Sequence, residues 1–316
     1  MHGPVPRAAL VAATLALFAV WGNTFLAFEV LLVPRTGTAP LDWWGLLVAR
    51  MVPVGILAGA WCALVRPRES AALALAHPVR LLVSGLMTVP VYNGFLYHGM
   101  QHRVVGPVAS VVTTLTPLWL VVFAAAFLGE RITARKEAGL VLGLVGLVLL
   151  AAGKGTNGAS AGGRVLEVAV APLAWSVYSA LTKPVTRDHS PLVWTFLVLA
   201  VGALSLLPAL PVLGVPDLSA LGSGDVALVA YLALAASIGG NAVWSWLLRH
   251  LPASTVGLTV FLNPPITLLS KVAWAAAFPA IVPAVAIAPL EWAGGAVMMA
   301  GVAFAVLPGR LRDAPR

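Results

Sequence analysis

Charge and sulfur are what this sequence has least of. Only 9% of its 316 residues are Asp, Glu, Lys or Arg, while 60% are hydrophobic. A chain so poor in charge has no polar coat with which to enclose a soluble core, so its apolar surface must meet lipid. The single cysteine, Cys62, excludes an intrachain disulfide and a thiolate metal site; inside an apolar run it reads as packing. Neither a Gly-x-x-x-x-Gly-Lys-Ser/Thr loop nor a His-Glu-x-x-His pair occurs, which removes the usual phosphate cradle and zinc-hydrolase geometry, and no cofactor is expected. The net charge of +8 raises nucleic acid as a partner, but the cations form no basic stripe or aromatic-interleaved patch, so the expected partners are the lipid bilayer and a small-molecule substrate.

What is there is apolar helix. A membrane crossing needs about 20 mainly apolar residues. Ten such spans are expected near 8–33, 43–64, 79–101, 105–128, 137–153, 165–183, 191–213, 225–248, 253–276 and 291–308. The first mimics a signal peptide, with Arg7 ahead of an apolar run, but the run is too long for one and has no convincing cleavage site. The fold class is therefore an all-α integral membrane protein. A Gly/Ser/Asn linker from Gly153 to Gly163 bisects the chain, and a Pro-rich segment follows Phe278. With the N-terminus inside, thirteen Lys and Arg residues fall in inner segments and four in outer loops, which places both termini in the cytoplasm of a bacterial-type inner membrane.

The halves echo each other. A shift of 148 residues superposes Asn93 on Asn241, His102 on His250 and Pro117 on Pro265; a shift of 155 superposes Gly139 on Gly294 and Gly146 on Gly301. Trp21 falls on Trp175. Five spans per half is an odd number, so the second copy enters from the opposite side, as in the inverted repeats of secondary transporters. The expected units are residues 1–153, a linker at 154–164, and residues 165–316.

Trp21-Gly22-Asn23-Thr24-Phe25, Arg50, the run from Ala109 to Pro117, and Gly129-Glu130-Arg131 followed by Gly139 and Gly146 resemble the EamA-type transporters of the drug/metabolite transporter superfamily. The resemblance covers nearly the whole chain, although the second half has Phe278-Pro279 where the first has its Gly-Glu elbow. It implies a ten-span exporter or exchanger of small metabolites, including amino acids, with a central cavity built from six helices.

The residues sort the helices the same way. Polar or amphipathic side chains sit at mid-depth in spans 1, 3, 4, 6, 8 and 9: Trp21 and Asn23, Asn93, Thr113 with Thr114 and Thr116, Trp175 with Ser176 and Tyr178, Ser237 with Asn241, and Asn263. Spans 5 and 10 are wholly apolar and 2 and 7 nearly so, which puts these four outside. The plain reading of each Ser, Thr or Asn is helix packing. Against it stands the matching of Asn93 and Asn241 across the repeat, and Asn263 beside Pro264-Pro265. Pro117 and the double proline free backbone carbonyls that either line a wet cavity or are satisfied by neighbours.

Four ionisable residues, Glu29, Arg50, His98 and Lys271, fall in the outer third and read as an outer gate, with Glu29 neutralising Arg50 or Lys271. Snorkelling to headgroups is the alternative. Lys271 could instead hold an anionic group in the cavity, or, protonated and released in a cycle, couple transport to protons. Glu130 reads as a structural elbow. Gly139, Gly143 and Gly146 line one face of span 5 and suit close packing within a monomer or a homodimer alike. A secondary transporter working by alternating access fits best. An intramembrane enzyme would need a nucleophile and base at depth, and a scaffold would not need duplicated, broken helices.

Overall fold

A computed structural model of the chain describes residues 5–33, 39–102, 106–153, 164–219, 221–279 and 286–306, with only the backbone described at 106–108 and 164–165. The linker after Gly153, most of the Pro-rich segment and several of the loop cations counted above lie outside the described residues. Among those described there is no strand.

Among the described residues nine helices are long and apolar enough to cross a membrane: α1 (Arg7–Leu32), α2 (Trp43–Val65), α3 (Pro78–Gln101), α4 (Ala109–Leu128), α5 (Ala134–Gly153), α7 (Pro191–Leu213), α8 (Ser223–His250), α9 (Ala253–Ala277) and α10 (Pro289–Val306). Between α5 and α7 lies α6 (Arg164–Asp188), as long at 25 residues but more polar. Its Ser176, Ser179, Thr182, Lys183 and Thr186 are all buried in protein. A helix whose polar side is covered by its neighbours gains little from an apolar composition, which is why α6 is the one expected span that falls outside the apolar set. A short helix, Pro67–Ala76, joins α2 to α3.

Local chemistry sets the helix ends. The Asp42 carboxylate accepts the Gly45 N–H at 2.6 Å and starts α2, and Ser190 caps α7 with Pro191 in the first turn. Gly129, at φ 64°, takes the left-handed position that ends α4 and turns Glu130 back so that its N–H reaches the Ala124 carbonyl at 3.0 Å.

Five helices are irregular, α7 among them with a 3-10 turn at Leu207–Ala209. A π-helical turn interrupts α3 at Met87–Val91 and α8 at Leu232–Gly239. α4 breaks between Thr113 and Thr116, and α9 passes through a 3-10 turn at Val260–Leu262. Pro117 deprives the Thr113 carbonyl of its helical donor, and the Thr116 hydroxyl replaces it at 2.7 Å. Before Pro264 the tighter turn lets the Asn263 N–H reach the Val260 carbonyl. The Thr113 and Val260 carbonyls are thus satisfied locally.

The helices pack as six plus four. α1 lies against α9, and α6 against α3, α4 and α8, forming the inner set; α2 pairs with α7 and α5 with α10 outside it. The glycine face of α5 is used within the chain. A Cβ at Gly146 would sit 2.6 Å from the Gly294 carbonyl oxygen and 2.7 Å from the Met298 nitrogen, and one at Gly139 would sit 2.8 Å from the Gly301 carbonyl oxygen. These are backbone atoms, which cannot swing aside. Gly146→Ala should therefore cost about 1–3 kcal/mol of overpacking, read as a fall of several degrees in the melting temperature of purified protein in detergent. Gly59→Ala on α2, where the new Cβ meets only the Ala200 Cβ at 3.7 Å, should leave it unchanged.

Candidate functional site

Arg50 stands two turns into α2, which packs most extensively on α7 and also meets α3 and α8, and its side chain reaches the last two. It is only 7% exposed. Nε donates to the Ser237 hydroxyl at 2.8 Å and the Leu232 carbonyl at 3.1 Å. Nη1 donates to Asn93 Oδ1 at 3.1 Å and to the Tyr97 hydroxyl. The Phe28 ring lies 5.4 Å from the guanidinium carbon. Every partner is a dipole or a ring face; among the described residues Arg50 has no carboxylate partner. Guanidinium keeps its proton even when buried, so its full positive charge faces the interior.

The π turns make this arrangement possible. Widening the helix leaves carbonyls off the regular ladder, and Asn93 Nδ2 takes that of Thr88 at 2.8 Å while the Ser237 hydroxyl takes that of Leu232 at 2.9 Å. Both side chains are thereby fixed with an oxygen aimed at Arg50.

Arg50 lines a cavity of 60 Å³ at the centre of the inner helices. Six residues expected there from the sequence line it: Trp21, Asn93, Thr113, Trp175, Asn241 and Asn263. The volume suits a few waters and is well below the 300–1,000 Å³ typical of ligand pockets. The indoles of Trp21, Trp175 and Trp244, from α1, α6 and α8, meet with ring centroids 5.3–5.6 Å apart. Trp21 Nε1 donates to the Ala236 carbonyl at 3.1 Å.

Three expected lining residues are elsewhere. Asn23 is on another face of α1, donating to its own Ala19 carbonyl at 2.7 Å. Tyr178 is fully buried one turn beyond Trp175, with its hydroxyl 3.1 Å from that of Ser245. Lys271 is two turns past Asn263 on α9, with Nζ 3.8 Å from a Glu29 oxygen. Nor do the four expected gate residues form one group. Glu29 pairs with Lys271, Arg50 sits in its dipole shell, and His98 Nδ1 lies 2.8 Å from Glu167 of α6. The His98–Glu167 pair borders a second, mainly apolar cavity of 470 Å³ between α2, α3, α6 and α7, walled by Trp43, Phe95 and Leu213. The second Glu29 oxygen is buried and accepts nothing.

At the opposite end of the bundle Glu130 binds the start of α9. Its oxygens accept from Ala253 N at 2.6 Å, Ser254 N at 3.1 Å and the Ser254 hydroxyl at 2.6 Å. Lys183 Nζ there donates to the carbonyls of Leu248 at 2.5 Å and Leu251 at 2.7 Å, closing the end of α8.

Sequence reasoning missed Tyr97, Phe28 and Trp244. Tyr97 stands one helical turn after Asn93 and was recoverable from that spacing. Trp244 falls on Leu96 under the 148-residue shift, so the repeat gave no hint of it.

A bundle of apolar helices around a buried, polar, cation-bearing cavity defines a multi-pass membrane protein. Comparison with known proteins gives the class its name. The model of the EamA-like transporter family matches twice, over residues 7–152 and 165–307, and the chain belongs to that family. It is 28% identical over 282 residues, 89% of this chain and 88% of the relative, to a probable terminal-alkyne amino-acid exporter of Streptantibioticus cattleyicolor. It is 34% identical over 147 residues, 44% of this chain and 47% of the relative, to the aromatic amino acid exporter YddG of Ancylobacter novellus. A solved crystal structure superposes with a TM-score of 0.70 at 24% identity, covering 96% of this chain and 98% of the other, which shows a shared fold. The protein is a transporter.

Proposed function

We propose that the protein is a secondary exporter of small carboxylate-bearing metabolites, amino acids or related amphipathic solutes, working by alternating access between two inverted five-helix halves, residues 1–153 and 165–316. The observation that carries this is Arg50: a buried cation with no counter-ion among the described residues, facing a cavity between the halves, is a site for an anionic group. The aromatic walls suit an apolar remainder. Export is the direction in the names of the two relatives above.

Two symmetries support the inverted repeat. The irregular turns recur at the 148-residue shift, the break at Thr113–Thr116 matching that around Phe261–Pro264 and the π turn of α3 matching that of α8. The shift of 155 maps the close contact of Gly139 with Gly301 onto that of Gly294 with Gly146, as a two-fold axis between the halves requires. Charge counts orient the bundle with the Glu130 end in the cytoplasm of a bacterial-type inner membrane and the Glu29–Lys271 pair on the outer side.

The deciding experiment is flux in proteoliposomes across amino acids, other organic anions, nucleosides and cationic dyes, with and without a pH gradient. Uptake of organic anions or amino acids is expected; no movement of any solute by folded protein would defeat the proposal. Within it, Glu29 and Lys271 form the outer gate. Partly exposed pairs contribute only about 1 kcal/mol, so Glu29→Gln and Lys271→Ala should barely shift the melting temperature while lowering flux about tenfold. Wild-type flux in both variants would remove the gate.

A further inference from the structure

We infer that the central cavity is built for a zwitterion, with Arg50 receiving the carboxylate and the side-chain carbonyls of Asn241 and Asn263 receiving the ammonium. The inference deepens the transport reading above and rests on it for the route, though not for the binding chemistry.

The starting point is an asymmetry between two residues that the repeat makes equivalent. Asn93 is fully engaged: Nδ2 donates to the carbonyls of Thr88 and Val89, and Oδ1 accepts from Arg50 and from the Tyr97 hydroxyl at 3.0 Å. Asn241, 148 residues later, keeps the first half of that pattern, its Nδ2 donating to the Ser237 carbonyl at 2.7 Å. Its Oδ1 is buried and accepts nothing from the described residues. The sequence explains the difference, because the residue 148 positions after Arg50 is Val198 and no guanidinium arrives from the second half. The bond to Ser237 also settles which way the amide points, since exchanging O and N would set oxygen against oxygen.

Asn263 is the second such group. The 3-10 turn ahead of Pro264-Pro265 holds it at the cavity, and its Oδ1 is likewise buried without a donor. Both asparagines are 6% exposed and both line the cavity that Arg50 lines. Buried amide oxygens are rarely left bare, because desolvating an acceptor without a partner is costly. Two asparagines that line one cavity and whose buried oxygens lack a donor are complementary to a group rich in donors, and an ammonium has three and no acceptor. The surrounding indole and phenol faces favour a cation as well.

Placement agrees. Ser237 holds both halves of the site, its hydroxyl accepting from Arg50 and its carbonyl from Asn241. The cationic donor and the asparagine with the bare acceptor therefore both bond to one residue. A carboxylate alone would leave two carbonyls unpaired, and an amine alone would meet Arg50 unscreened. The 60 Å³ now open is enough for the charged head and too little for a side chain, which enters only when the halves move apart.

The test uses the purified full chain and three matched ligand sets: L-norvaline and L-phenylalanine, their des-amino acids pentanoate and 3-phenylpropanoate, and their decarboxylated amines. Thermal protection in detergent and counterflow in proteoliposomes are measured for each. The amino acids are expected to be preferred over both partial analogues by about tenfold or more. In Asn241→Leu combined with Asn263→Leu, the preference over the des-amino acids should collapse to near parity while carboxylate binding persists. Des-amino acids that protect and exchange as well as the amino acids in wild type would overturn the ammonium site and leave the transport reading standing. Protection by amino acids alone without any flux would support the site and defeat transport. The wild-type series decides the matter even if the double variant does not fold.

Discussion

Arg50→Met is expected to lower flux of carboxylate-bearing solutes by about a hundredfold or more, in line with the 3–5 kcal/mol measured when one partner of a buried charged pair is removed. The protein should nevertheless remain folded. Methionine fills a similar volume, the Ser237 hydroxyl keeps the Leu232 carbonyl, and Asn93 keeps the Tyr97 hydroxyl. Removing a buried charge that no carboxylate balances should leave the melting temperature unchanged or raise it. Arg50→Lys is the sharper control. An ammonium keeps the charge but lacks the planar fork that reaches Ser237, Leu232, Asn93 and Tyr97 together, so flux should still fall by about tenfold or more. Wild-type flux of an organic anion in Arg50→Met would show that the anion does not use the guanidinium and would remove the observation on which the proposed function stands.

Most of the architecture could be read before any coordinate, because in lipid the composition of a helix reports its surroundings directly. The apolar α5 and α10 and the nearly apolar α2 and α7 lie outside; the six helices with mid-depth polar residues lie within. α6 shows the limit of that logic. Its length matched, but its buried Ser, Thr and Lys residues reduce its apolar character because they face protein. At the site, the lining residues that periodicity and repeat identified, such as Trp21, Asn93 and Asn241, do reach the cavity. Pairings could not be read the same way. Glu29, Arg50, His98 and Lys271 share a depth, yet depth leaves open which face of a helix a residue occupies, and they divide among three separate settings. The role of Arg50 was the least visible of all. It sits on an outer helix, and only its side-chain length and the π turns of α3 and α8 bring it to the centre.

Glu130→Ala should open the end of the bundle opposite Glu29. The carboxylate makes three hydrogen bonds to the first turn of α9, two of them to backbone N–H groups that the helix cannot satisfy itself. It reaches them from the loop between α4 and α5, turned by Gly129, so the bond ties one proposed half to the other. Lys136 reinforces it with a 2.7 Å bond to the Ser254 hydroxyl. Charge-assisted bonds of this kind are worth about 1.5–3 kcal/mol each, so losing the cap should shift the balance between closed and open forms of this end by about a hundredfold. A cysteine introduced at Ser245, now buried with its hydroxyl accepting from Thr195 at 2.8 Å, reports the change in a Cys62→Ala background. It should be slow to react with a water-soluble maleimide in otherwise wild-type protein and fast when Glu130→Ala is added, with flux reduced because the bundle no longer closes at this end. Glu130→Gln, which keeps an acceptor for one N–H, should fall between. Unchanged reactivity together with wild-type flux would mean that the cap does no more than finish a helix, and closure of this end would have to rest on the three indoles and Lys183.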